Sequence, residues 1–128
     1  MPPLGKILIV DDEVHVRKFV SLIARSLGEP AIIEAADGRE ALAKYATEAP
    51  DLVLLDVNMP VLDGVHTLAE LLKRDAKAKI IMLTSLANRQ TIEKCLNAGA
   101  AGYIRKDTPR ESILNELTAI VRETFGEN

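Results

Sequence analysis

Three aspartates stand at the points where short apolar segments of this chain end. Asp11 and Asp12 directly follow the apolar residues 7–10, and Asp56 directly follows the apolar residues 52–55. A short aliphatic run that stops at a charged residue is typical of a buried strand ending at the protein surface. Carboxylates placed close together repel one another, so they need a proton, a lysine or a divalent cation to offset their charge. The residues therefore predict a charge-compensated acidic site at one edge of a sheet.

The elements that must position these aspartates alternate along the chain. Apolar runs predict five strands, over residues 6–10, 31–35, 51–55, 79–83 and 102–104. Apolar residues at helical spacing predict a helix after each strand. Strict alternation predicts an α/β fold with a parallel sheet covered by helices on both faces.

The order of the strands decides whether the polar residues meet. We adopt the order 2-1-3-4-5 from known open sheets of this type rather than deriving it from the residues. In this order strands one and three are neighbours, which brings Asp11, Asp12 and Asp56 together at the carboxyl edge of the sheet. Thr84 follows strand four and Lys106 follows strand five, so we expect both at the same edge.

Two helix starts carry capping signals. Asp37, with Glu40 three residues later, predicts a capping box at the start of the second helix. Thr108 as N-cap, followed by Pro109 and Glu111, predicts the start of the fifth helix.

Size and composition predict one domain. The chain has 128 residues, a net charge of −3 and one cysteine. We predict a folded domain over residues 6–125, with a flexible N-terminal tail at 1–5 and a C-terminal tail at 126–128. The charge balance predicts no direct binding to nucleic acid or anionic membranes. The lack of a long apolar run and the lone cysteine predict a cytoplasmic protein.

The donor types at the site select a hard cation. Three carboxylates without a cluster of His or Cys favour Mg²⁺, or alternatively Mn²⁺. Lys106 and the Thr84 hydroxyl could stabilise a transferring phosphoryl group, and Asp56 is the best candidate to accept it. Taken singly, each residue has a simpler interpretation, such as a helix cap for Asp11 or Asp12. Their joint placement at the ends of four strands favours a functional site.

These motifs, in this order, resemble the receiver domain of two-component response regulators from the first strand to the fifth helix. The matching motifs are Asp11-Asp12, Asp56, Met59-Pro60, Asp63-Gly64, Thr84-Ser85, Gly102-Tyr103 and Lys106. The resemblance implies a three-layer, flavodoxin-like (βα)5 fold with a five-stranded parallel sheet. It also implies phosphorylation-dependent signalling.

The resemblance implies a role for each matching acidic residue. Asp56 would be the phosphoacceptor. Asp12, Asp56 and the backbone carbonyl of Asn58 would bind Mg²⁺ directly, and Asp11 would act through a metal-bound water. Leu86 and Asn58 occupy positions that would modulate access to the phosphoryl group. An apolar Leu86 cannot orient an attacking water, so we expect slow self-dephosphorylation.

The resemblance also implies how the site would respond. Lys106 would contact a phosphoryl oxygen, Thr84 would reorient toward it, and Tyr103 would be an aromatic switch that turns inward. In this family a proline usually follows the lysine, often through a cis bond, whereas here Asp107 follows Lys106. A cis bond before a residue other than proline costs about 2.5–4 kcal/mol, so we predict a trans bond. Asp107 would also add negative charge near the site.

A receiver would be a signalling module rather than a conventional enzyme. Its phosphoryl donor would be a sensor histidine kinase or a phosphotransfer protein. The fourth helix, fifth strand and fifth helix would form the output surface. That surface would act on a downstream effector or an attached output domain, and a homodimer through the same face is a further option. Since no output segment follows the fifth helix, we expect either a stand-alone receiver or part of a longer regulator.

The alternative function is a Mg-dependent phosphohydrolase with an aspartyl-phosphate intermediate. Such enzymes typically place a second acid two residues after the nucleophile, where this chain has Asn58. They also usually carry a cap, and the chain has no insertion long enough to form one. A flavin-binding domain of the same architecture is less favoured, because the loop after the first strand lacks the Ser, Thr and Gly that would cradle a nucleotide phosphate.

Overall fold

The computed structural model describes residues 4–59, 62–85 and 89–126. Strands and helices alternate in these segments. They are β1 (Lys6–Val10), α1 (Val14–Arg25), β2 (Ala31–Ala35), α2 (Gly38–Glu48), β3 (Leu52–Asp56), α3 (Gly64–Arg74), β4 (Ile80–Thr84), α4 (Arg89–Ala98), β5 (Gly102–Arg105) and α5 (Arg110–Phe125). The predicted alternation is therefore confirmed, with strand boundaries within about one residue of those expected.

The five strands form one parallel sheet in the order β2-β1-β3-β4-β5. Every residue of β3 and β4 is buried, because helices cover both faces of the sheet. One apolar core lies between the sheet and α1 with α5, and a second lies between the sheet and α2, α3 and α4. This three-layer arrangement confirms the predicted flavodoxin-like (βα)5 fold and its strand order.

The two capping predictions have different outcomes. The Asp37 carboxylate accepts a hydrogen bond from the Glu40 N–H at 2.9 Å, as predicted for the start of α2. The N-cap of α5 is Pro109, not Thr108. The Thr108 hydroxyl donates to the Arg105 carbonyl at 2.8 Å, so it closes the preceding turn instead of capping the helix. The predicted start of α5 was therefore one residue too early.

Residues 4–6 contact the rest of the fold. Leu4 packs in the core beneath α1 and α5, and the main-chain N–H groups of Gly5 and Lys6 donate to the Asp51 carboxylate at 2.8 and 3.0 Å. Leu4 and Gly5 belong to the segment 1–5 that we predicted to be a tail, and the bounds of the domain stay a prediction. Within the described segments, no helix has the length and hydropathy needed to cross a membrane.

Candidate functional site

The carboxyl ends of four neighbouring strands deliver the predicted polar residues to one edge of the sheet. Asp56 and Thr84 are the last residues of β3 and β4, Asp11 follows β1, and Lys106 follows β5. Parallel strands end at the same edge, so four segments far apart in sequence meet there. The convergence that we predicted from the strand order is therefore present.

The three aspartates form one acidic cluster. Asp11, Asp12 and Asp56 each offer a carboxylate oxygen, and these oxygens lie within 4.8 Å of one another. Asp11 is fully buried, Asp56 is 2% exposed and Asp12 is exposed. Two buried carboxylates at this separation require a compensating positive charge.

Lys106 supplies part of that charge. Its Nζ lies 2.8 Å from Asp11 Oδ2 and 3.0 Å from Asp56 Oδ1, so it bridges the two buried carboxylates. Its side chain is only 11% exposed. Burial lowers the pKa of Lys106, but the hydrogen bonds and charges of Asp11 and Asp56 outweigh burial and raise the pKa overall. Lys106 is therefore held as a cation within the site.

Asp56 is incompletely compensated. Burial, and then the negative charge of Asp11, raise the pKa of Asp56 from 3.8 to about 6. The hydrogen bond and charge of Lys106 and a hydrogen bond from the Asn58 main-chain N–H offset only part of this rise. A carboxylate with such a raised pKa favours the approach of a further positive group.

The backbone on which Asp11 sits is held from several sides. The Asp11 N–H donates to the Ala35 carbonyl at 3.1 Å, which extends the β1–β2 pairing by one residue. Asp11 Oδ1 accepts from the Glu13 N–H at 2.9 Å, and the Asp11 carbonyl accepts from Arg17 Nη1 at 2.7 Å. Sequence reasoning missed Arg17, because an Arg followed by Lys18 in an amphipathic helix is typical of a solvated basic face.

Gly64 explains why the Asp63-Gly64 motif belongs to the site. The Gly64 N–H donates to the Val57 carbonyl at 2.9 Å, which places the start of α3 against the end of β3. A Cβ atom at position 64 would collide with the main-chain oxygen of Asp56. The absence of a side chain here therefore permits the close approach that sets the backbone position of Asp56.

The residues expected to respond to phosphorylation lie on β4, β5 and the adjoining loops. Thr84 is buried, and its carbonyl accepts from the Lys106 N–H at 2.9 Å. Tyr103 is 41% exposed and lines a shallow cavity with Leu96. Asn58 is exposed beside the acidic cluster. Leu86 lies outside the described residues, as does Pro60 of the Met59-Pro60 motif.

Asp107 forms an ion pair with Arg105, the last residue of β5. The Lys106–Asp107 peptide bond is trans, as predicted. Arg105 binds the Asp107 carboxylate through two nitrogens, with Nε–Oδ1 and Nη2–Oδ2 distances of 3.0 and 2.7 Å. This pairing lowers the pKa of Asp107. Arg105 therefore largely offsets the extra negative charge that Asp107 was expected to add near the acidic cluster.

The donor set fits a hard divalent cation. Carboxylate and carbonyl oxygens are the ligands that Mg²⁺ and Mn²⁺ take in proteins, and the cluster offers one oxygen from each of Asp11, Asp12 and Asp56. The exposure of Asp12 leaves one side open to solvent, which suits an ion that retains water ligands. The raised pKa of Asp56 gives an independent reason for a cation to bind here.

Comparison with known proteins supports the resemblance seen in the motifs. The family model of the response regulator receiver domain matches residues 7–118. The chemotaxis protein CheY of Treponema pallidum is 32% identical over 119 residues, which cover 91% of this chain and 83% of that protein. A putative transcriptional regulator of Pseudomonas aeruginosa is 35% identical over 116 residues, covering 91% of this chain and 55% of that protein.

A solved structure extends the similarity to three dimensions. The crystal structure of a complex of CheX and CheY with BeF3 and Mg²⁺ from Borrelia burgdorferi includes a chain that superposes with a TM-score of 0.85 at 34% identity. The superposition covers 96% of this chain and 90% of that chain.

Proposed function

Because the chain belongs to the response regulator receiver domain family, we propose that it is a signalling module that accepts a phosphoryl group on Asp56. The donor is a phosphohistidine on a sensor histidine kinase or a phosphotransfer protein. The observation that carries the proposal is the bridge from Lys106 Nζ to both Asp11 and Asp56, buried at the carboxyl edge of the sheet. This bridge puts a cation beside Asp56, a buried carboxylate at the end of β3.

The chemistry follows from the groups around Asp56. An oxygen of the Asp56 carboxylate forms the new bond to phosphorus while the bond from phosphorus to the donor nitrogen breaks. Lys106 is already within hydrogen-bond distance of Asp56 and is placed to donate to a phosphoryl oxygen. Asp12, Asp56 and the Asn58 carbonyl would hold Mg²⁺ directly, and Asp11 would hold it through water. When bound, the ion neutralises charge on the transferring group.

The response to phosphorylation would pass through β4 and β5. Phosphorylation adds about 1.5–2 negative charges beside Lys106, whose main-chain N–H is bonded to the Thr84 carbonyl. A rearrangement of Thr84 and an inward turn of Tyr103 would then change the face made by α4, β5 and α5. Tyr103 and Leu96, both exposed, would be part of the surface that an effector, an output domain or a second copy binds.

Intact mass after incubation with Mg²⁺ and acetyl phosphate tests the proposal. We expect a gain of one phosphate in the native protein and no gain in Asp56→Asn. Asp107→Asn is the matched control, because Asp107 is an exposed aspartate of the neighbouring loop, and it should gain phosphate as the native protein does. An equal gain of phosphate in Asp56→Asn would show that another residue is the phosphoacceptor. Steady turnover of a small phosphomonoester would instead support the phosphohydrolase alternative.

A further inference from the structure

A largely but not fully buried arginine of α1 contacts the main chain of the acidic cluster. Arg17 is 14% exposed, and its Nη1 donates to the Asp11 carbonyl at 2.7 Å. Its Nε binds Glu34 Oε1 of β2 at 3.0 Å. The same guanidinium therefore joins the loop after β1 to the strand beside it. Neither contact involves a carboxylate of the cluster, so the role of Arg17 differs from that of Lys106.

The position of this contact determines what it can control. The Asp11 carbonyl belongs to the peptide plane between Asp11 and Asp12, and a trans peptide is rigid. A donor that holds this oxygen holds the plane, and with it the N and Cα atoms of Asp12 from which the side chain projects. Asp12 is the exposed member of the cluster, so its carboxylate lacks the burial that restrains Asp11 and Asp56.

Glu34 orients the guanidinium for this task. An arginine presents its donors in a fixed planar fork, so an ion pair at Nε determines where Nη1 points. Lys18 also binds Glu34, with Nζ 2.9 Å from Oε2, but the Lys18 side chain is 67% exposed, so its ion pair contributes little to the position of the Glu34 carboxylate. A lysine at position 17 has one compact ammonium and cannot reproduce the fork.

We propose that Arg17 is a positioning residue that preorganises the Asp11–Asp12 peptide for binding of the divalent cation, a role that rests on the proposed function. Partners that orient metal ligands typically change metal affinity by about 10- to 100-fold when they are removed. Loss of Arg17 should therefore weaken Mg²⁺ binding although the loss removes a positive charge from the neighbourhood of the site. Simple electrostatics gives the opposite sign, because removal of a cation strengthens binding of another cation.

The test is a Mg²⁺ titration of the unphosphorylated protein, followed by calorimetry or by backbone amide NMR shifts, for the wild type, Arg17→Gln and Arg17→Lys. We expect about 10-fold weaker Mg²⁺ binding in both variants. Lys18→Gln is the matched control: it removes a positive charge that binds the same Glu34 but does not touch the Asp11 carbonyl. It should bind Mg²⁺ as the wild type does. Urea unfolding verifies that each protein is folded. If Arg17→Gln does not fold, the Mg²⁺ affinity of Arg17→Lys tests the inference.

A second readout separates positioning from general damage. The phosphorylation rate with acetyl phosphate should require about 10-fold more Mg²⁺ for half-saturation in the Arg17 variants, while the rate at saturating Mg²⁺ approaches that of the wild type. Wild-type Mg²⁺ affinity in a folded Arg17 variant, or an equal loss in Lys18→Gln, would overturn the inference. A wild-type protein that fails to bind Mg²⁺ would instead overturn the proposed function.

Discussion

Replacement of the proposed phosphoacceptor should stabilise the protein at neutral pH. The pKa of Asp56 is raised from 3.8 to about 6, first by burial and then by Asp11. The folded protein therefore holds the proton more tightly than the unfolded chain does. The stability that this protonation contributes is fully present below pH 3.8 and is lost as pH rises through about 6.

The shift sets the size of the effect. A rise of about two pKa units corresponds to about 3 kcal/mol between the protonated and ionised forms. Asp56→Asn resembles the protonated form in shape and charge, so about 3 kcal/mol is the upper limit of its gain above pH 7. The variant also weakens the ion pair with Lys106, which keeps Asp11 as its partner. We therefore expect a net gain of about 1–3 kcal/mol in the free energy of unfolding.

Urea unfolding followed by far-UV circular dichroism, with EDTA present, measures this gain. The difference between Asp56→Asn and the wild type should be largest at pH 7.5 and should shrink as pH falls below 6. Asp107→Asn is a control for which the change in stability should have the opposite sign. Arg105 lowers the pKa of Asp107, so the Asp107 carboxylate favours folding near neutral pH and its replacement should not stabilise the protein. If Asp56→Asn were less stable than the wild type at pH 7.5, or if the difference did not depend on pH, the account of Asp56 as an undercompensated buried carboxylate would be wrong.

Three further outcomes follow from the site. Mg²⁺ at 100 times its Kd should raise the free energy of unfolding of the wild type by about 2.7 kcal/mol, and EDTA should reverse this increase. Asp56→Asn should be stabilised much less by Mg²⁺. Thermal unfolding with and without Mg²⁺ measures both effects. Lys106→Met leaves Asp11 and Asp56 without their shared cation, so it should destabilise the protein by roughly 3–5 kcal/mol at pH 7.5 and slow phosphorylation. Lys18 is exposed, so Lys18→Met should cost under about 1 kcal/mol in the same urea unfolding experiment. Gly64→Ala should cost about 1–3 kcal/mol because its methyl group meets the Asp56 main chain, and intact mass should show reduced phosphorylation; unchanged stability and phosphate uptake would show that the contact relaxes freely.

Local patterns along the chain were sufficient for the elements and for most of the acidic cluster. Apolar runs that end in Asp11 and Asp56 predict buried strands, because alternating strands and helices of this length bury a parallel sheet on both faces. Their positions at strand ends also indicated Thr84 and Lys106, and both residues lie at the carboxyl edge of the sheet. The capping signal at Asp37 was confirmed, while the equally clear signal at Thr108 was wrong. The Thr108 hydroxyl donates to the Arg105 carbonyl instead, a partner that the capping pattern does not take into account.

The sequence by itself thus determined the fold class, which follows from the spacing of apolar and charged residues. It also showed that Asp11, Asp12 and Asp56 end strands, but their meeting required a strand order taken from known open sheets. Only the tertiary structure decided which charges compensate one another. Lys106 lies 95 residues from Asp11 in the chain, and Arg17 reaches Glu34 of another strand. Such pairings depend on distances of a few ångströms that packing sets, because electrostatic and hydrogen-bond energies fall steeply with separation. The sequence gives only the order of the residues along the chain and not these distances.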